Sequence, residues 1–206
     1  MKCLNDGELK NMQKKYDWLL FDADETLFDY PSHIGLARLA ARYGIAWTDA
    51  DYAQFQAVNQ PLWRAYQEGR IDIGQLEAQR FADLAARTGQ PAPQLNRELQ
   101  LEMAQLCNLL PGARELLAAA HGAGIRIGII TNGFAVQQEP RLRASDVSQY
   151  IDLLIISELE GFPKPDKRLF EAALRKMKQP APQRVLMIGD NPDTDIAGGA
   201  RAGMDT

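Results

Sequence analysis

Two carboxylates with a single residue between them stand at the end of an apolar run near the start of the chain. The run Trp18–Phe21 leads into Asp22 and Asp24. A short apolar run that ends in a polar cluster predicts a buried strand that stops at a site. Alternate residues of a strand point the same way, so the two acids are expected to repel each other by roughly 4 kcal/mol at 4 Å with an effective dielectric near 20. Such a pair suits a cation site or chemistry, although an isolated pair more often lies in a solvated loop.

Further polar groups follow other apolar runs along the chain. They are Thr131-Asn132-Gly133, Lys164 between two prolines, and Gly189-Asp190, with Asp195 shortly afterwards. Taken singly, each has a plainer interpretation. A threonine often caps a turn, a loop lysine is usually solvated, and an aspartate such as Asp195 is favoured as the first residue of a helix.

The apolar runs themselves predict four strands, each short and continuous, as in a parallel sheet buried on both faces. These runs are Trp18–Phe21, Ile125–Ile130, Leu153–Ile156 and Val185–Ile188. Helices are predicted over residues 113–121, from the turn after Gly133 to about 145, over 166–178, and from Asp195 to 202. Pro140 is expected either to start the second of these helices or to kink it. The alternation predicts an α/β fold with a doubly wound parallel sheet. Ligands bind beyond the carboxyl ends of such strands, which would bring the distant polar groups together.

The stretch between the first two strands contains helical patterns and no convincing strand. Four amphipathic helices are predicted there, the first capped by Ser32 and the second capped by Thr48 or Asp49. Pro61 is expected to bend or divide the second helix. The third and fourth are predicted over residues 73–89 and 95–106. Together they predict a small helical bundle inserted after the first strand.

Composition limits the kind of partner. The 206 residues carry a formal net charge of −4 and a pI of about 5.3, which argues against nucleic acid held by a basic surface. The 2 cysteines, Cys3 and Cys107, form no disulfide framework, which fits a reducing cytoplasm. No apolar run predicts a membrane span, and residues 1–15 are polar enough to predict a flexible tail.

The order FDADET, TNG, KP and GDNPDTD resembles the four-motif signature of the haloacid dehalogenase superfamily of phosphotransferases. This resemblance implies a Rossmann-like core over residues 16–28 and 109–206 with an all-helical cap over 29–108. The wording FDADETLF, VNQPLW and TNGF is similar to the pyrimidine 5′-nucleotidases. It implies a phosphomonoester hydrolase that takes a small phosphate ester, most directly a pyrimidine nucleoside monophosphate.

The resemblance also implies a role for each motif residue. Asp22 is the expected nucleophile that forms an aspartyl-phosphate, and Asp24 the general acid and base. Mg²⁺, or Mn²⁺ or another divalent ion, is expected on Asp22, Asp190 and the main-chain carbonyl of Asp24. Thr131, with the main-chain amides of Asn132 and Gly133, is expected to hold the phosphoryl oxygens, and Lys164 is expected to add a positive charge beside them. Asp195 is expected to orient Lys164 or a water from behind the first ligands.

Other residues have less defined expectations. Glu25 replaces a glycine that would relieve a tight turn, so its backbone is expected to be restricted. Phe28, Trp63 and Tyr66 are candidates to stack on a base, although aromatics at helical spacing more often belong to a core. Where the resemblance implies a further strand and helix, the chain stops at Thr206, so a truncated core with an exposed sheet edge is expected.

Alternative functions remain open at this point. A related phosphatase acting on phosphoglycolate or sugar phosphates would use the same residues. A response-regulator receiver domain has no helical insertion and places its acidic pair before the phosphoacceptor, so the motif order disfavours it. A catalytically silent phosphate-binding protein of this fold is disfavoured because every catalytic position is filled.

Overall fold

The computed structural model describes residues 6–206, which divide into two compact units. The first unit comprises residues 6–29 and 108–206, and the second comprises residues 30–107. Asp29 and Asn108, the residues of the first unit at its two boundaries, are hydrogen-bonded to each other, since the Asp29 amide donates to the Asn108 carbonyl at 2.9 Å. The Asn108 amide in turn donates to the Asp29 carboxylate at 2.6 Å. These boundaries lie one residue inside the sequence-based ones.

The first unit opens with a helix where a flexible tail was expected. Helix α1 spans Asp6–Lys15, whereas residues 1–5 of the predicted tail lie outside the described residues. Its end is fixed by the far end of the chain: Lys15 Nζ lies 2.8 Å from an Asp205 carboxylate oxygen, and Tyr16 donates to the same oxygen at 2.8 Å. The sequence pattern could not indicate these contacts, because their partner Asp205 lies at the other end of the chain.

The second unit contains five helices among its described residues, one more than predicted. They are α2 Ser32–Arg42, α3 Asp49–Gln67, α4 Ile73–Arg80, α5 Ala82–Thr88 and α6 Ala92–Leu106. Thr48 caps α3 as expected, through a capping box with Asp51. Pro61 does not divide α3. The predicted third helix is instead interrupted at Phe81, which gives α4 and α5.

The prediction that Ser32 caps the first helix of this unit is wrong. Pro31 occupies the cap position, and Ser32 is the first helical residue. The Ser32 hydroxyl group is paired with the Tyr52 hydroxyl at 3.0 Å. The Ser32 side chain, which was predicted to cap the helix, is therefore hydrogen-bonded to another helix of the same unit instead.

The rest of the first unit alternates between strands and helices, as predicted. After β1 Trp18–Phe21, its elements are α7 Ala113–Gly122, β2 Arg126–Thr131, α8 Ala135–Ala144, β3 Leu153–Ile156, α9 Ser157–Glu160, α10 Lys167–Lys176, β4 Val185–Ile188 and α11 Ala197–Arg201. Helix α8 contains Pro140 in its interior rather than at its start. The turn before α11 is π-helical over Pro192–Ile196, and Asn191 caps it by accepting from the amides of Asp193 and Thr194. The prediction that Asp195 opens this helix is therefore wrong.

The four strands form one parallel sheet in the order β3-β2-β1-β4. In register, Phe21 is level with Ile129 on one side and Ile188 on the other. All strands of such a sheet end at the same edge. The outer side of β4 meets the chain again, because Leu186 forms a parallel bridge with Asp205. The predicted parallel α/β fold is confirmed.

Strand β1 is buried along its whole length, as its continuous apolar sequence predicts. Trp18 and Leu20 belong to a core with Leu169, Phe170 and Met177 from the α10 region. Leu19 and Phe21, which alternate with them, are also buried. The strand that leads to Asp22 is therefore rigidly held on both faces. Over residues 6–206 no helix has the length and apolarity that crossing a membrane requires.

Candidate active site

A buried ammonium group joins the polar residues at the carboxyl edge of the sheet. Lys164 is buried, and its Nζ donates to Asp22 Oδ1, to the carbonyl of Ile130 at 3.0 Å, and contacts Asp195 Oδ1 at 2.6 Å. Burial by itself lowers the pKa of Lys164, but the charges of Asp22 and Asp195 outweigh it, so the pKa is raised. Lys164 is consequently charged at neutral pH and is no solvated loop residue.

Asp22 sits at the point where β1 ends. Its amide donates to the Ile188 carbonyl at 2.8 Å, which extends the pairing with β4 by one residue. Burial raises the pKa of its carboxyl group to about 7, against the lowering influence of Lys164. The neighbouring charges of Asp195 and Asp24 raise the pKa further. A carboxylate in this setting needs additional positive charge to stay ionised.

Three carboxylates lie close enough to share a metal ion. One oxygen each of Asp22, Asp190 and Asp195 lies within 4.8 Å of the other two. Asp190 is exposed, and Thr26 donates to its Oδ1 at 3.5 Å. Partial burial, followed by the charge of Asp195, raises the pKa of Asp190. Three carboxylates this close together repel one another and supply oxygen donors, which is the composition of a site for a hard divalent cation.

Asp195 lies against a protein group at each of its two carboxylate oxygens. Its Oδ1 contacts Lys164, and its Oδ2 accepts from the Asn191 amide at 3.1 Å. Gly189 makes room for it, because a Cβ there would overlap the Asp195 carboxylate. With both oxygens engaged, the structure favours Asp195 as the partner that orients Lys164.

The turn after β2 anchors the Lys164 loop. Asn132 clamps the Lys164 backbone, since its Nδ2 donates to the Lys164 carbonyl at 3.0 Å and its Oδ1 accepts from the Lys164 amide at 2.7 Å. The Gly133 amide donates to Thr131 Oγ1 at 3.0 Å. The Asn132 side chain is therefore committed to the loop, and the Gly133 amide, expected to hold phosphoryl oxygens, is bonded to the buried Thr131 instead.

Asp24 faces partners that the sequence did not indicate. Arg141 donates to its Oδ1 at 2.5 Å, and Gln138 donates to its Oδ2 at 3.1 Å. Both come from α8, where Gln137, Gln138 and Arg141 are buried although the helix is mainly polar. The sequence of α8 offers no signal for this contact, because only the structure shows that two glutamines and an arginine are buried, as such residues seldom are without a partner. Glu158 was also missed; it caps α8 by accepting from the Ala135 amide at 2.7 Å.

The remaining candidates have structural surroundings. Glu25 has a φ of +59°, so its backbone is in the left-handed region, as the restricted turn predicted. Phe28 and Tyr66 are buried, and the Arg141 guanidinium lies over the Phe28 ring at 4.2 Å from its centre. Trp63 packs edge-on against Tyr66 with ring centres 5.9 Å apart. For Phe28 and Tyr66 this favours a core role over base stacking.

Known proteins match this chain over nearly all of its length. The family model described as haloacid dehalogenase-like hydrolase matches residues 16–203. The pyrimidine 5′-nucleotidase YjjG of Escherichia coli K12 is 45% identical over 93% of this chain and 85% of its own length. PynA of Streptococcus pneumoniae, also a pyrimidine 5′-nucleotidase, is 31% identical over 93% of this chain and 82% of its own length. The solved structure of the HAD-hydrolase YfnB of Bacillus subtilis, bound to magnesium, superposes with a TM-score of 0.83 at 31% identity, covering 93% of this chain and 87% of that one. With this fold, a strand-end acid pair and a buried lysine among carboxylates, the chain belongs to the haloacid dehalogenase-like hydrolases.

Proposed function

We propose that the chain is a magnesium-dependent phosphatase that hydrolyses pyrimidine nucleoside monophosphates through a phosphorylated Asp22. The observation that carries the chemistry is the buried Lys164 ammonium group, which contacts Asp22 and Asp195 beside the further carboxylate of Asp190. The substrate class is supported by the 45% identity to the E. coli pyrimidine 5′-nucleotidase.

Asp22 and Asp190 are the side chains that we assign to the magnesium ion, together with the main-chain carbonyl of Asp24. The oxygen donors and their mutual repulsion fit a hard cation, and the B. subtilis relative is bound to magnesium in its solved structure. We assign Asp195 to orienting Lys164, because its Oδ1 contacts the Lys164 ammonium group and its Oδ2 accepts from the Asn191 amide. When bound, the ion would supply positive charge that favours the ionised form of Asp22 and balances the phosphate.

In the first step, Asp22 attacks the phosphorus atom of the ester. Lys164 holds Oδ1, so we assign the attack to Oδ2. A bond forms between Oδ2 and phosphorus while the bond from phosphorus to the ester oxygen breaks. The charged Lys164, with Thr131 at the end of β2, would stabilise the phosphoryl oxygens, and Asn132 holds the Lys164 backbone in place for this task.

Asp24 handles the protons of both steps. It would donate a proton to the departing nucleoside oxygen, which becomes the 5′-hydroxyl group. The resulting carboxylate would then remove a proton from the water that attacks the phosphorylated Asp22, so inorganic phosphate leaves and both acids return to their first state. Separate partners, Lys164 for Asp22 and Arg141 for Asp24, support this division of roles.

The test is steady-state kinetics with Mg²⁺ on dUMP, dTMP, UMP and the matched purine monophosphates, with phosphoglycolate and a sugar phosphate in the same panel. We expect the highest kcat/KM on the pyrimidine nucleotides. Equal values on all esters would reject the pyrimidine assignment, and a preference for phosphoglycolate or the sugar phosphate would move the enzyme to another substrate class within the same chemistry.

Variants test the residue assignments. Asp22→Asn should abolish turnover without loss of the fold, and Asp190→Asn should require far more Mg²⁺ for activity. Asp193→Asn is the matched control, since Asp193 is an exposed acid of the same loop. Turnover by Asp22→Asn, or by the wild type after thorough chelation, would reject the mechanism.

A further inference from the structure

Helix α8 presents a polar network to Asp24. Arg141 Nη1 and Gln138 Nε2 hold the two oxygens of the Asp24 carboxylate, at 2.5 Å and 3.1 Å. Arg141 Nη2 also donates to Gln138 Oε1, so the two donors fix each other. The side chain of Arg141 is only 2% exposed, whereas that of Asp24 is 27% exposed. The carboxylate is thus reachable from solvent, while its holders are not.

The surroundings are shaped for this network. The Arg141 guanidinium lies over the buried Phe28 ring, 4.2 Å from its centre. Gly133 lacks the Cβ that would overlap the Gln138 amide. Burying an arginine carries a large desolvation cost, which is recovered only with a well-placed partner. A single carboxylate, that of Asp24, receives charged and neutral donors together, which is more than anchoring a helix requires.

We infer that Arg141 and Gln138 are positioning residues that aim the Asp24 carboxylate for proton transfer and keep it out of the acid cluster of Asp22, Asp190 and Asp195. This inference rests on the proposed function, in which Asp24 is the general acid and base. It assigns no contact with the substrate to Arg141 or to Gln138. Asp22 and Asp24 are two residues apart, yet each is tied to a different cation, Lys164 or Arg141. The network thereby gives two neighbouring acids different tasks.

The consequence is a dependence on the leaving group. Proton donation matters most when the departing oxygen is strongly basic, as in a nucleoside, and least when it leaves readily, as in p-nitrophenyl phosphate. The parameter to compare is kcat/KM, which covers the chemistry up to departure of the leaving group. A series of aryl phosphates with increasingly basic leaving groups, extended by dUMP, measures the dependence in one experiment.

For Arg141→Met we expect kcat/KM to fall about 100-fold on dUMP and less than about 10-fold on p-nitrophenyl phosphate, since general acid catalysis contributes about 10²–10⁴-fold. Gln138→Leu should show the same pattern to a smaller extent, and Arg141→Lys should restore part of the loss. The matched control is Arg143→Met on the same helix, because Arg143 is 73% exposed and pairs with Glu139. It should leave the series unchanged.

A double-mutant cycle separates positioning from plain structural support. If Arg141 acts through Asp24, Arg141→Met should have almost no further effect on kcat/KM in an Asp24→Asn background. An additive loss would overturn the inference, as would an equal loss on all leaving groups. Should Arg141→Met not fold, the Gln138→Leu and Arg141→Lys variants carry the same test. Failure of the proposed function is seen separately, in the wild-type nucleotide panel, and the aryl series still decides the role of Arg141.

Discussion

Among single residues, Asp22 carries the sharpest conflict between chemistry and stability. Burial raises the pKa of its carboxyl group to about 7, although Lys164 acts in the opposite direction. The unfolded chain has an aspartate pKa of about 3.9, so the folded protein binds this proton more tightly. Burial of the ionised group therefore lowers the free energy of unfolding by its full amount above about pH 7. This destabilisation disappears as the pH falls towards about 4.

We expect metal-free Asp22→Asn to be more stable than the wild type at about pH 8, by about 1–3 kcal/mol, since one pKa unit is worth about 1.4 kcal/mol and Lys164 loses a partner. At about pH 5 the difference should shrink. Urea unfolding in the presence of a chelator measures both values, with Asp193→Asn as the exposed control. A difference that does not change with pH would contradict the burial argument.

Gly189 leaves space for the Asp195 carboxylate because it has no side chain. A Cβ at this position would overlap the carboxylate of Asp195, which contacts Lys164 at 2.6 Å. We expect Gly189→Ala to displace Asp195 and to lower kcat/KM on a nucleotide by about 100-fold, the cost of a misplacement of about 1 Å. Steady-state kinetics and a thermal melt measure the two effects.

Gly122→Ala provides the comparison for that variant. A Cβ on Gly122, the last residue of α7, would meet nothing within 4 Å. The substitution should leave kcat/KM unchanged and should not lower stability, because it reduces the freedom of the unfolded chain. An equal loss of activity in both variants would show that the effect of Gly189→Ala does not come from Asp195.

At the scale of elements, α8 carries an internal defect at Pro140. The helix begins at Ala135, so residue 140 would normally donate to the carbonyl of Val136, and proline cannot. We expect Pro140→Ala to raise the free energy of unfolding by about 1–3 kcal/mol. Pro93, the second residue of α6, needs no such donor. Pro93→Ala should therefore be neutral or slightly destabilising in the same urea titration, and a gain of equal size in both would contradict the argument.

The strands were predictable because each is a continuous apolar run. A parallel sheet buried on both faces needs such runs, and Leu153–Ile156 and Val185–Ile188 have the predicted bounds. Helix ends were less predictable, since side chains that can cap also have other partners. Thr48 caps α3, whereas the Ser32 hydroxyl is paired with Tyr52 instead. Asn191, two residues before a pair of acids, took the cap position expected for Asp195.

The site followed the same division. Residues at strand ends, such as Asp22, could be placed from the sequence because the sheet edge fixes their backbone. Lys164 lies on the loop that follows β3, so the strand-end rule placed it near Asp22, while its role beside the phosphate came from the family resemblance. Arg141 and Gln138 could not be predicted, because their contact with Asp24 depends on how α8 packs. In a helix with few apolar residues, the sequence pattern does not indicate which face is buried.

For the whole molecule, the inserted unit has a core of its own. The cluster that contains Leu36, Leu39, Phe81 and Leu99 draws all of its residues from positions 30–107. That segment is continuous in sequence, and the described residues of this cluster all belong to it. A contiguous unit with a complete core meets the conditions for independent folding, although a domain of this size is only marginally stable.

We therefore expect residues 30–107, expressed alone, to show helical circular dichroism and a cooperative thermal transition. Leu39→Ala should remove about 2–5 kcal/mol, enough to abolish or strongly lower that transition, because Leu39 is fully buried. Leu101→Ala is the matched control, since Leu101 is 38% exposed, and it should change stability by less than about 0.5 kcal/mol. An isolated segment without a cooperative transition would mean that its helices need the rest of the chain for their stability, although the described residues of this cluster all lie within the segment.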